Sequence, residues 1–295
     1  FGQKFTWQPI KRLALNAGLE YSRKITDRPN TNPDVSGGLD YEMRYKSLRW
    51  NLGGIYKFTN RNSLQADFTV DRYRYGKEYD VETSTYKVGD YIQSKKQRMM
   101  EGELKAVLGL TEKSTTIFGA DWRQDNLVTS TGNIDASVYT LAGYAQHEML
   151  LAQGLKAMLG VRYTYHREFG SHLTPKVAMM YSVGNINVRA TYSNGFRAPG
   201  MDELYYRYFS VNRGKAQVSF GNKDLNPEKS HYVSLSAEYR GDRFAVSVMG
   251  YMNFINDMIV KDNIQLDDES RKMLMAEFPE MTDAQAQSMS TYANY

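Results

Sequence analysis

The feature that most restricts what this chain can fold into is a period-two alternation of apolar and polar residues, repeated from one end to the other. In the segment from Arg12 to Lys24, Leu13, Leu15, Ala17, Leu19 and Tyr21 fall on one side, and Asn16, Gly18, Glu20 and Ser22 on the other. A strand turns successive side chains to opposite faces, whereas a helix repeats every 3.6 residues, so this pattern marks strands with one apolar face. It recurs at Leu48–Phe58, Leu64–Val70, Leu104–Leu110, Thr116–Trp122, Tyr139–Ala145, Leu155–Tyr165, Val177–Val183, Ile186–Tyr192, Val233–Tyr239 and Phe244–Phe254. With Phe1–Gln8 as a first short strand, the count is about twelve.

Composition narrows the environment of those strands. No run of 18 or more apolar residues occurs, which excludes a helical membrane span but not strands that show lipid one face and a polar lumen the other. The 37 basic and 33 acidic residues leave a net charge of only +4, too little for a nucleic-acid-binding field, and no nucleic-acid partner is expected. Zero cysteines exclude a disulfide scaffold and a thiolate metal site. The chain starts at Phe1 without a leader pattern and is read as part of a longer protein.

The connections are sorted by length. Short turns at Pro9–Lys11, Asn60–Asn62, Glu112–Lys113, Gln153–Gly154, Gly184–Asn185 and Gly241–Asp242 alternate with polar stretches at Thr26–Gly38, Gly76–Asp90, Gln124–Ala136 and Gly200–Asn222. Arg167–His172 is the one brief link on the long side. Outer-membrane barrels have this asymmetry, with short periplasmic turns and longer extracellular loops. Leu266–Ser290 has helical spacings and reads as a loop with short helices, so long outer loops are expected near 200–222 and 261–290; Thr291–Tyr295 reads as the start of a strand cut off.

Between two of the strands lies Gly195–Ser230, with Phe196-Arg197-Ala198-Pro199, then Glu203-Leu204-Tyr205-Tyr206, then Asn222-Lys223-Asp224-Leu225-Asn226-Pro227-Glu228. Together these resemble the paired FRAP and NPxLxPE boxes of TonB-dependent outer-membrane receptors; the sequence departs from the second box at Lys223, where the family usually has proline. The resemblance implies an all-β fold, a transmembrane antiparallel β-barrel. Such receptors have about 22 strands around an N-terminal plug. Residues 1–295 would then be a middle portion of one barrel domain, with the plug outside this sequence. It implies import of a scarce metal chelate or cofactor (siderophore, haem or cobalamin) across the outer membrane of a Gram-negative bacterium. The implied partners are the inner-membrane TonB complex acting through the plug, outer-membrane lipid and lipopolysaccharide, and a surface lipoprotein as an optional partner. Phe196, Arg197, Ala198, Pro199, Glu203, Leu204, Asn222, Leu225, Pro227 and Glu228 would be structural motif residues.

For ligand contact the candidates are Tyr205, Tyr206, Arg207, Tyr208 and Arg213, since aromatic faces beside cations suit a planar or anionic ligand. If that segment is turn-like or helical, Tyr205 and Tyr208 share a face. The bland reading is an aromatic belt facing lipid headgroups. His166 and His172 share the lumen phase and could bind iron or another transition metal, against the alternative of solvated rim residues. Haem receptors of the family carry a histidine between the two boxes, and Gly200–Gly221 has none. No catalytic or zinc motif is present, so no enzyme and no bound cofactor are expected. The rival readings are a passive porin, a barrel-hosted hydrolase, a soluble β-rich module and a complete twelve-stranded barrel.

Overall fold

The computed structural model describes residues 1–28, 41–82, 86–130, 133–212, 215–277, 282–283 and 286–295. In chain order the elements are β1 (Gly2–Ile10), β2 (Leu13–Arg28), β3 (Tyr41–Lys57), β4 (Ser63–Tyr79), β5 (Tyr91–Thr111) and β6 (Ser114–Thr129). There follow β7 (Ile134–Ala152), β8 (Leu155–His166), β9 (Gly170–Val183), β10 (Ile186–Arg197), α1 (Met201–Tyr205), β11 (Arg207–Asn212) and β12 (Lys215–Phe220). The chain closes with β13 (Glu228–Arg240), β14 (Ala245–Asn256), β15 (Ile259–Gln265), α2 (Asp268–Glu277) and β16 (Ser288–Asn294).

Twelve strands form one antiparallel meander, β1 to β10 and then β13 and β14. The alternation read from sequence thus yields both the element type and the number of wall strands. Strands β1 and β14 are the two edges and do not pair with each other, so these twelve strands do not make a closed barrel by themselves.

Directly paired residues in an antiparallel sheet point to the same face, so the register tests the alternation across the whole wall. One rung runs Phe5, Ala17, Leu52, Phe68, Gly102, Trp122, Leu141, Tyr165. The next runs Trp7, Leu15, Gly54, Ala66, Leu104, Ala120, Gly143, Tyr163, Leu173. Every member is apolar, aromatic or glycine, and large side chains such as Leu52 (54% exposed), Leu104 (50%) and Leu173 (62%) stand free of protein. Exposed leucines in continuous rungs are explained by lipid. From Leu48 to Phe58 the outward set rises ~34 Å along the strand, or ~26 Å in height at a tilt of ~40°, which matches a barrel's apolar band.

The opposite face is polar and internally bonded. The Tyr144 hydroxyl donates to Glu103 Oε1 at 2.6 Å, and Arg162 Nη2 donates to Asp121 Oδ1 at 2.8 Å with its guanidinium 5.7 Å from the Tyr144 ring. Gly119, paired with Tyr144, lets that ring lie across β6; a Cβ there would strike it.

Several boundaries differ from the sequence expectation for one reason. Strands run into the polar stretches taken as loops: β2 continues to Arg28, β4 to Tyr79 and β6 to Thr129, and β7 begins at Ile134. The Gln124–Ala136 connection therefore shrinks to 130–133. Above the apolar belt a strand needs no hydrophobic face, because ladder hydrogen bonds alone satisfy its backbone, so polarity there does not signal a loop. Pro9 likewise lies within β1, with the turn at Lys11–Arg12, and His172 lies within β9. Residues 29–40, which hold most of the first long stretch, lie outside the described residues.

A second, four-stranded sheet, ordered β11, β12, β16, β15, is built from the two segments expected to be long loops. Thr291–Asn294, read from sequence as the start of a strand, are strand: β16 pairs with β15 from Ile259↔Asn294 to Gln265↔Ser288. Helix α2 begins after Asp267, whose side chain accepts the Ser270 N–H at 2.8 Å. Val218, Leu274 and Ala286, with Phe220, Leu266, Met275 and Met289, form a small core between this helix and its sheet.

Candidate functional site

The two sequence boxes meet in space. β10 and β13 are neighbours, with Arg197 paired to Glu228, so the intervening segment must leave and return at one end of the wall. Arg197 grips Glu228 with two hydrogen bonds, Nε to Oε2 at 2.7 Å and Nη2 to Oε1 at 2.9 Å. Its third nitrogen, Nη1, donates to both Glu203 oxygens, at 3.1 and 3.0 Å. Glu203 also accepts the Gly200 N–H at 2.7 Å, holding the start of α1 behind Ala198 and the buried Pro199. Glu228 also accepts the Ile259 N–H at 2.7 Å, which ties on β15. A planar guanidinium with a rigid fork is the side chain suited to bridging two carboxylates in this way.

The rest of the second box closes the same knot. The Asn222 N–H donates to the Glu203 carbonyl at 2.7 Å, and its side-chain Nδ2 donates to the Tyr292 carbonyl at 2.9 Å. The Asp224 N–H donates to Asn222 Oδ1 at 2.9 Å, an Asx turn at the place where Lys223 replaces the family's proline. Leu204 and Leu225 are buried at 4% and 3% exposure. Pro227 precedes β13, after Asn226, whose N–H donates to Asn294 Oδ1 at 2.7 Å.

The tyrosines beside this knot separate. Tyr205 ends α1 with the Lys223 ammonium 5.5 Å from its ring centre. Burial foremost, then the Glu168 carboxylate, raises its phenol above the ordinary value, so it is neutral at physiological pH. Tyr206 turns to the wall: its hydroxyl bonds the Tyr75 hydroxyl, and the Lys95 ammonium lies 4.6 Å from its ring centre. Lys95, 6% exposed, also donates to Asp202 Oδ2 at 2.5 Å, and Gln97 Nε2 donates to Asp202 Oδ1 at 3.3 Å. Arg207 stacks on Phe220 at 4.4 Å. Tyr208 lies in β11, described there only through its backbone pairing with Ser219, and Arg213 lies outside the described residues. The helix stops at Tyr205, so the helical segment that would put Tyr205 and Tyr208 on one face is not formed.

The wall contributes aromatics that local sequence did not single out. Tyr45 packs against Tyr75 at 5.6 Å, Tyr73 against Tyr75 at 6.1 Å, and Tyr41 against Tyr79 at 6.2 Å. Tyr86 stacks on Tyr79 at 4.1 Å, while Lys24 and Lys77 stand over the Tyr45 and Tyr41 rings at 5.9 and 4.8 Å. Tyr41, Tyr45, Tyr73, Tyr75 and Tyr79 are all odd-numbered, on the face opposite Trp50 and Phe68, and lie at the end of the wall that carries α1. This tyrosine and lysine mouth spans β2 to β5, which are remote in sequence from the boxes, and its one signal in the sequence is parity above the apolar belt.

His166 and His172 do lie on one face, since Thr164 pairs with His172. Each is already engaged: His166 Nδ1 accepts the Glu168 N–H at 3.2 Å, and His172 Nε2 donates to the Phe169 carbonyl at 2.9 Å while stacking on Phe196 at 3.8 Å. Among the described residues no three His, Asp or Glu side chains are grouped as a metal would need.

A lipid-facing belt, a hydrogen-bonded polar inner face and an aromatic–cationic mouth at one end define the wall of a membrane β-barrel receptor. The chain belongs to the TonB-dependent receptor family, since residues 3–293 match the family model "TonB dependent receptor-like, beta-barrel". It is 30% identical over 154 residues to the iron-regulated outer membrane virulence protein of Vibrio cholerae, covering 49% of this chain and 23% of that protein. It is 26% identical over 227 residues to the vitamin B12 transporter BtuB of Vibrio cholerae, covering 76% of this chain and 34% of the relative. The fold matches the siderophore receptor PirA from Pseudomonas aeruginosa with a TM-score of 0.76 at 15% identity, over 100% of this chain and 50% of that one. This chain therefore spans about half the length of that receptor and less of the curated relatives. These are receptors and transporters, not enzymes.

Proposed function

We propose that this chain is barrel wall of an outer-membrane importer that captures a scarce metal chelate or cofactor at its outer mouth and admits it when TonB acts on a plug. The observation that carries the reading is the mouth itself. Tyr45, Tyr75 and Tyr206 lie with Lys95 on the inner face at the end where the longer connections gather. Rigid aromatic faces supply contact area at small entropic cost, and the ammonium groups favour an anionic, planar guest. The polar inner wall below it, with Glu103, Asp121, Tyr144 and Arg162, supports a water-accessible lumen and not a sealed core.

A porin reading lacks a use for the boxes, which here build a closed knot at the mouth instead of widening it. The test is uptake by a receptor-deletion strain complemented with the full-length receptor, supplied in turn with ferric enterobactin, haem and cyanocobalamin. One of these should bind to cells with high affinity, and its accumulation should stop when TonB is deleted. Uptake that is unsaturable and independent of TonB would overturn the import reading.

A further inference from the structure

Lys95 lies on the inner face of β5, with Tyr75 of β4 and Thr129 of β6 as its cross-strand partners. An ammonium beside a row of tyrosines is the group of the mouth best suited to an incoming anion, yet Lys95 is only 6% exposed. What covers it comes from the chain itself. One carboxylate oxygen of Asp202 accepts from Lys95 Nζ at 2.5 Å, and the other accepts from Gln97 Nε2 at 3.3 Å. The Tyr206 ring lies 4.6 Å from the same ammonium, and its hydroxyl bonds that of Tyr75.

A single turn of α1 delivers both groups. Asp202 and Tyr206 are four apart, and the Tyr206 N–H donates to the Asp202 carbonyl at 3.2 Å, which brings the two side chains to one side of the turn. The segment starts from β10, and β6 to β9 stand between β10 and β5 in the wall. It therefore crosses the inner side of those strands to reach Lys95, packing on β6 and β7 on the way. The near end is anchored separately, since Arg197 takes Glu203 and Glu228 and leaves Asp202 to Lys95, so the far contact can open while the knot holds. The two halves of that contact are unequal. The Asp202 side chain is 45% exposed, and water replaces its partner when the contact opens; the Lys95 side chain, at 7%, then needs another anion.

We propose that α1 is a self-ligand of the mouth: Asp202 and Tyr206 offer Lys95 and Tyr75 an anion and an aromatic hydroxyl, the chemistry expected of the guest, and a guest enters by displacing them. This device rests on the mouth being the site of capture. With the clasp shut the site is occupied by the chain's own groups, so the apparent affinity for a guest is reduced by the fraction of receptor in which the clasp is open. The exclusion is mutual, and a bound guest frees α1.

The experiment uses the full-length receptor in nonionic detergent and pyrenetetrasulfonate, a planar aromatic anion, with binding read by fluorescence anisotropy. Asp202→Asn keeps the shape of the side chain and removes its charge, and should bind this probe about tenfold more tightly than the native protein. Adding Lys95→Gln to that variant should abolish the gain. Asp80→Asn, the same charge change on an exposed residue just after β4, should bind as the native protein does. In a second readout, the probe added to the native receptor should speed hydrogen exchange over residues 201–206 while β4 and β5 stay protected. Heat-modifiable migration on gels establishes that each variant is assembled. Equal binding, or none, by Asp202→Asn and the native protein would overturn the proposal, as would an equal gain in Asp80→Asn or a gain that survives the loss of Lys95. So would slower exchange over 201–206 on binding, which would make α1 part of the guest's seat. These readouts need neither TonB nor a transported compound, so a receptor without TonB-dependent uptake defeats the import reading and leaves the clasp standing.

Discussion

Arg197 holds two carboxylates from different elements, and its loss would leave Glu203 and Glu228 facing one another without a cation. Its side chain is 46% exposed, so water screens part of the cost, and Arg197→Ala should destabilise the knot by ~1–2 kcal/mol and leave the wall intact. Hydrogen exchange in the full-length receptor should then rise over residues 198–206 with no change in β3 to β5. Arg197→Lys should recover little, because a point charge cannot bond both partners in the guanidinium geometry. Gly221 makes a separate demand: a Cβ there would lie 2.6 Å from the Leu204 carbonyl carbon and the Tyr205 nitrogen, both backbone atoms that cannot swing aside. Gly221→Ala should cost ~1–3 kcal/mol and loosen α1 by the same exchange measure. Glycine is the one residue that fits, a reason invisible in a sequence that shows only a loop glycine before a box.

At the scale of the strand, the register assigns each residue to lipid or lumen, and neighbours in sequence should respond oppositely to charge. Leu52 lies near the middle of the outward apolar set on β3, between Ala17 and Phe68, while Asn51 lies on the polar face between Gly18 and Thr69. Leu52→Arg should cost ~2–4 kcal/mol and Asn51→Arg far less. Denaturant unfolding of the receptor refolded into phosphatidylcholine vesicles measures both, and equal costs would refute the register. The same strands show where pattern reading stops. In the belt, apolar periodicity is imposed by lipid and is legible; above it the hydrogen-bond ladder maintains the strand, so Gly76–Tyr79 of β4 carry no periodic apolar signal and read as loop.

For the whole molecule, the mouth, the boxes and the second sheet gather at one end of the wall, and the turns Lys11–Arg12, Glu112–Lys113 and Gly184–Asn185 gather at the other. Placing the mouth outside the cell gives an expected labelling pattern. The chain contains no cysteine, so single substitutions report cleanly. Lys87→Cys, in the link between β4 and β5, should react with a membrane-impermeant maleimide on intact cells, and Asn62→Cys should be protected until the outer membrane is permeabilised. The opposite pattern would invert the topology. The second sheet makes the mouth end more than a set of independent loops: β12 meets β16 in parallel at Ser219↔Ser290, so the segment between the boxes and the segment after β14 are joined.

The sequence by itself determined the strands, their number in the wall and the outward face of each, because lipid and a polar lumen impose opposite chemistries on alternate residues and leave that demand in the local pattern. It also held the two boxes, whose residue types are tied to one geometry. Only the tertiary structure decided that Arg197, Glu203 and Glu228 form one ionic knot, that Thr291–Asn294 complete a separate sheet, and that Tyr206 meets Tyr75 over Lys95 while Tyr205 turns to Lys223. Those partners lie far apart along the chain and are joined by strand order and register, and register is a property of pairs of strands that no single stretch of sequence contains.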